Sequence, residues 1–145
     1  MEYLFGTVEQ VELELILCIR IAVAFVCGGV IGLQRRNVKN RDTSILRTHI
    51  IICVTASLIA CMSEVLAITY TGIDITRISA QIISGVGFLG VGVIVRQGNT
   101  VNGLTTAATL WAVGAIGMAI GSGCFVIGLV STVIFLLLLM LTSHD

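Results

Sequence analysis

Between Arg77 and Arg96 the chain runs for about 18 residues without a charge, enough at roughly 1.5 Å per residue to cross a hydrocarbon core of roughly 30 Å. The run, SAQIISGVGFLGVGVIV with its flanks, therefore reads as a membrane helix from about Arg77 to Ile94. It sits within the stretch from Asp74 to Trp111, where two apolar runs rich in small residues flank a polar turn from Gln97 to Gly103.

Gly85, Gly87 and Gly90 spell GxGxxG, but a dinucleotide site would also need an acidic residue about 20 positions on, and no Asp or Glu lies between Asp74 and Asp145. Helical geometry accounts for the glycines better. At 100° per residue Gly85 and Gly92 share a side with Gln81, and Gly87 and Gly90 share the opposite one. Small residues let helix backbones approach closely in lipid, so these four glycines are candidate helix contacts and the helix is expected in the middle of a bundle.

Composition points the same way. Hydrophobic residues make up 57% of the 145 positions and charged residues 11%, well under the roughly 25% of soluble domains. Proline is absent, so no helix is forced to kink by a missing amide. A formal net charge of zero gives no basic field for nucleic acid. The five cysteines lie in apolar runs with no CxxC pair and no histidine at ligand spacing, so they read as small buried hydrophobes rather than a disulfide framework or metal site.

Taken in order, Met1 to Glu14 interleaves glutamates with Tyr3, Phe5, Val8 and Val11, the pattern of a short amphipathic helix at the membrane surface. It lacks the basic start and small-residue end of a cleavable signal peptide. A first span is expected from about Leu13 to Leu33. It carries Arg20, which either snorkels to the interface or pairs with Glu64 or Asp74. Gly28 and Gly32 form a GxxxG near its other end, a candidate contact face for another protein or a second copy.

The following loop holds Arg35, Arg36, Lys39, Arg41 and Arg47, five of the eight basic residues. Loops of this kind stay in the cytoplasm, which puts the acidic amino terminus outside. A second span runs from about Ile45 to Ile68. His49 within it reads as a hydrogen-bonded packing residue rather than a proton relay, because no carboxylate follows at helical spacing. Asp74 and Thr76 are available to cap the third helix. Gly98-Asn99 and Asn102-Gly103 suit a tight turn. A fourth span from about Leu104 to Gly121 and a fifth from about Cys124 to Thr142 bring the carboxyl terminus to the cytoplasm. The expectation is an all-α polytopic bundle of about five spans forming one domain, 1–145.

Neither a catalytic residue, a cofactor nor a metal site is expected: GxSxG and HExxH patterns are missing, and His144 stands at the end of the chain. What remains is a set of polar residues. Gln34, Arg35, Arg47, Thr48, Arg96, Asn102 and Thr105 fall at the inner ends of the spans, and Arg20, Glu64, Asp74 and Arg77 near the outer side. Gln81 lies a turn inside the third helix. Such groups either hold helices in register or line a site for an ion or anion.

The blocks RIAVAFVCGGVIGLQRR, LRTH, DITRISAQIISGVGFLGVGVI and VNGLTTAATLW resemble, in order, the signature blocks of the MgtC/SapB family of bacterial inner-membrane proteins. The resemblance runs from Arg20 to about Gly121. It implies a membrane domain of several helices, in proteins linked to growth at low magnesium and survival inside macrophages. It also marks Arg20, Arg35, Arg47, Thr48, Asp74, Arg77, Gln81, Arg96, Asn102, Gly103, Thr105 and Trp111 as shared-motif positions without assigned roles. The family commonly has Glu where this chain has Gln34, which weakens a carboxylate role there. Longer members carry a cytoplasmic ACT-like domain, expected to be lacking here. The expected partners are the lipid bilayer and other membrane proteins or a second copy. Transport of an ion or small solute through the glycine-rich third helix is the rival, and a passive scaffold a third reading.

Overall fold

The computed structural model describes residues 2–38, 43–72 and 74–141, and it is built of helices joined by short turns. Helix α1 is Glu2–Val38, α2 is Thr43–Thr69, α3 is Ile75–Gly92, α4 is Leu104–Gly121 and α5 is Phe125–Leu141. The first four are long and apolar enough to cross a membrane. At 17 residues, α5 is shorter, about 25 Å. Lys39 and Arg41 of the basic loop, Thr142 at the end of the fifth span and His144 lie outside the described residues.

The expected separation of a surface helix from the first span does not occur. Glu2–Val38 is a single helix of 37 residues, because the change from acidic to apolar sequence brings no proline and no other backbone break. Arg35 and Arg36 occupy its last turn, where positive charge suits the carboxyl end of the helix dipole.

A second departure lies between α3 and α4. The polar turn is a β-hairpin, β1 Val95–Gln97 paired antiparallel with β2 Thr100–Asn102, with Arg96 opposite Val101. Gly98 at φ 61° turns the chain, and Gly103 at φ 92° redirects it into α4. Any Cβ at Gly103 would collide with the Val93 carbonyl, so both the backbone angle and the space demand glycine.

Helix α4, rather than α3, holds the centre: it touches all four other helices, while among the described residues α3 packs mainly on α2 and α4. One apolar cluster joins Ala24, Cys27 and Ile31 of α1 to Cys53 of α2, Val113, Ile116 and Ile120 of α4, and Leu139 of α5. A second joins Ile52, Ala56 and Ala60 of α2 to Ile82 and Val86 of α3 and Leu110 of α4.

Glycines set these distances. At Gly28 an added Cβ would stand 2.7 Å from Cys53 Cβ, and at Gly32 3.0 Å from His49 Cβ. The GxxxG of α1 is therefore used up inside the molecule, against α2, and does not form the free contact face expected of it. At Gly117 and Gly121 a Cβ would collide with the carbonyls of Cys53 and Ser57, so α4 and α2 touch backbone to backbone.

Candidate functional site

The polar residues divide into two groups at opposite ends of the bundle. At one end Arg20 of α1 forms an ion pair with Glu64 of α2, and its Nη1 also donates to the Gly121 carbonyl at 3.0 Å, where α4 ends. The Arg20 side chain is 12% exposed and Glu64 35%. Gly123, at φ 80°, wraps the α4–α5 turn over the guanidinium, and a Cβ there would sit 3.1 Å from Arg20 Nη2. Of the alternatives open for Arg20, pairing with Glu64 is the one realised. The helix ending at Gly121 supplies negative carbonyl character as well.

Asp74 does not join that pair. It caps α3: its carboxylate accepts from Thr76 N at 2.9 Å and from the Thr76 hydroxyl at 2.5 Å. These bonds, the hydroxyl first, hold its carboxyl below the ordinary carboxylate range. Arg77 is exposed in the same turn, and its N–H bonds to the Asp74 carbonyl at 3.3 Å. Gln81 is also exposed and lines, with Ile52, Thr55, Gly85 and Phe88, a groove of about 490 Å³ between α2 and α3.

The other end carries the hairpin. Arg35 is 8% exposed, and its Nη2 donates to Thr106 Oγ1 in the first turn of α4 at 3.5 Å. His49 of α2 is 1% exposed, with Nδ1 2.7 Å from the Ile45 carbonyl and Nε2 without a partner. Gln34 is half-buried, and its Oε1 is likewise unpartnered. The remaining candidates lie on the outside of the bundle. Arg47 and Thr48 are exposed, and the Thr48 hydroxyl bonds back to the Ser44 carbonyl at 2.8 Å. Arg96 Nε donates to the Gly98 carbonyl at 3.1 Å, bracing the hairpin turn. Asn102 and Thr105 are exposed, and Trp111 is 48% exposed.

The small residues of α3 face outward for the most part. A Cβ added at Gly90 would meet Ala107 of α4 at 3.5 Å, whereas one added at Gly85, Gly87 or Gly92 would meet nothing within 4 Å, and Phe88 beside them is 80% exposed. Sequence reasoning did not single out Thr106, nor the Gly114, Gly117 and Gly121 series of α4. The i, i+4 spacing of the last two was the available signal for a close helix crossing.

Residues 21–144 match the family model described as the MgtC family. The Escherichia coli protein named "Putative magnesium transporter YhiD" is 39% identical over 126 residues, covering 83% of this chain and 58% of its own length. Protein MgtC of Brucella abortus is 40% identical over 113 residues, 78% of this chain and 45% of its own. An uncharacterized Synechocystis protein is 42% identical over 107 residues, 74% of this chain and 44% of its own. The chain thus spans about half the length of the curated relatives it matches. No solved structure matches it.

Proposed function

The chain belongs to the MgtC family, and we propose that it is a multi-pass protein of the bacterial inner membrane that acts without catalysis, by contact with other membrane proteins or a second copy. In this reading the amino terminus is outside and the carboxyl terminus cytoplasmic, following the basic residues at Arg35, Arg36 and Arg47. Its physiological setting is growth at low magnesium and survival within macrophages, as the family resemblance implies.

The observation that carries the reading is the outer face of α3. Gly85 and Gly92 leave it smooth, Phe88 stands out from it, and Gln81 offers an amide beside it. In lipid, helices associate through small residues and interhelical hydrogen bonds, and this face provides both. The α1 face at Gly28 and Gly32 is already occupied by α2 and is not available. Cysteine crosslinking in membranes tests the assignment. Replacing Gly85 and Gly92 together with Leu should abolish association, and undiminished crosslinking would refute it.

A second reading, transport, rests on the name carried by the E. coli relative. Against a dedicated magnesium cage, no three His, Cys, Asp or Glu side chains come together among the described residues. Magnesium keeps several waters and is often held by one or two carboxylates, so flux is measured directly. Liposomes containing the purified protein should move no more magnesium, proton or potassium than empty vesicles. Flux well above that background would replace the contact reading with transport.

A further inference from the structure

The outer face of α3 carries a pattern that matches a copy of itself. Gln81, Gly85, Phe88 and Gly92 are all exposed and follow one another at steps of four, three and four residues. Ile82, Val86 and Gly90, on the other side of the helix, are buried against the bundle. Steps of four and three make the 3.5-residue seam of a parallel, left-handed helix pair, here with the large side chains of Gln81 and Phe88 alternating with two glycines.

An unpaired amide lies on that seam. At 18 residues, about 27 Å, α3 needs its whole length to cross roughly 30 Å of hydrocarbon, and Gln81 stands about 9 Å inside its first residue. Among the described residues nothing bonds to the Gln81 side chain. A carboxamide turned toward lipid has no water to bond to, which favours a hydrogen bond to another helix. Because one carboxamide is both donor and acceptor, two copies of Gln81 across a two-fold axis satisfy each other.

Charge and shape repeat the self-matching at other levels. Asp74 and Arg77 are both exposed at the head of α3, and the one salt bridge among the described residues is elsewhere, between Arg20 and Glu64. Arg77 lies about 40° from Gln81 around the helix, and Asp74 caps the same turn. Two copies in one membrane share an orientation, so their two-fold axis runs along the membrane normal and the paired helices are parallel. Asp74 of each copy then comes within a turn of Arg77 of the other. Deeper in the membrane, Phe88 stands 80% exposed at the rim of the groove that Ile51, Thr55, Gln81 and Gly85 line. One face thus holds donor and acceptor, anion and cation, ring and groove, and a two-fold pair uses each of them twice.

We propose that the chain forms a two-fold dimer, α3 against α3, with the Gln81 amides paired across the axis and each Phe88 seated in the α2–α3 groove of the other copy. The dimer rests on the contact reading and narrows its partner to a second copy of this chain.

Energy transfer between two fluorescently labelled populations of the full chain in phosphatidylcholine vesicles tests it, with the protein-to-lipid ratio lowered in steps. The parent chain should dimerise. Gln81→Leu and Phe88→Ala should each weaken the dimer about tenfold, with helix content by circular dichroism unchanged because both side chains are exposed. Arg77→Glu sets like charges against each other and should lower self-association severalfold, and mixed with Asp74→Lys it should pair with that variant in preference to itself. A monomer at every ratio overturns the proposal, as does a dimer that Gln81→Leu and Phe88→Ala leave intact. Crosslinking from the α3 face in native membranes separates this failure from failure of the contact reading. A monomer in vesicles, together with crosslinks to a different protein that Gly85→Leu with Gly92→Leu abolishes, discards the dimer and keeps the contact reading. A monomer with no crosslink to any protein discards both.

Discussion

Helices α3 and α4 both carry glycines at helical spacing, yet Gly117 and Gly121 are closed against the backbone of α2 while Gly85, Gly87 and Gly92 meet nothing within 4 Å. The difference lies in what faces them. Opposite α4, Cys53, Ala56 and Ser57 are themselves small and buried, so two backbones can meet. Among the described residues no further helix stands against Gly85 or Gly92 of α3. A glycine pattern thus marks where a close approach is permitted, and the neighbour decides whether it happens.

The strongest way to break this contrast is at the closed face. Gly117→Leu forces a side chain into the Cys53 carbonyl and should cost about 3 kcal/mol or more, seen as unfolding at lower denaturant in detergent. If stability were unchanged, the α2–α4 crossing would be wrong. Next in size is the ion pair beside that crossing. Glu64→Ala leaves Arg20 with only the Gly121 carbonyl, and because Glu64 is about a third exposed the expected loss is about 1–3 kcal/mol, less than for a fully buried pair. The double variant Arg20→Met with Glu64→Leu should recover most of that loss, and a further loss would contradict the account.

A smaller effect belongs to the open helix. Asp74 has its pKa lowered by folding, so its capping contribution is fully present above the unfolded carboxyl range and is lost as pH falls through the lower folded value. Hydrogen exchange at the Thr76 and Arg77 amides should therefore accelerate, beyond the intrinsic pH trend, only below about pH 4, and Asp74→Ala should remove the pH dependence. At the bottom of the scale, Gly85→Ala should alter unfolding by no more than about 0.5 kcal/mol, because the added methyl has nothing to meet. A large loss there would mean that a neighbour already covers the face in the isolated protein.

Much of the architecture was legible from hydropathy and charge. Hydropathy places the fourth span at Leu104 to Gly121, where α4 lies, and the residue types offer both the Asp74 cap and, as one alternative, the Arg20 pairing with Glu64. Hydropathy measures where lipid could be, however, and not where a helix stops. That is why α1 continues through the acidic segment that was expected to be a separate surface helix. The hairpin was read as a turn because its strands are three residues each, too short for an alternation to register. Centrality was assigned to α3 from its glycines, which are equally consistent with a helix at the edge. Arg35 was a candidate from its place in the basic loop. That it turns inward to Thr106 depends on how α1 meets α4, which spacing along one helix does not reveal.

The partners of Arg20 also impose an order in time. Glu64 lies 44 residues later in the chain and the Gly121 carbonyl 101 residues later, so during synthesis the guanidinium emerges long before anything can compensate it. The first helix cannot settle alone at its final depth without carrying an unneutralised charge. Its stable insertion awaits the arrival of the second helix, and the last turn then locks a hairpin that has already formed.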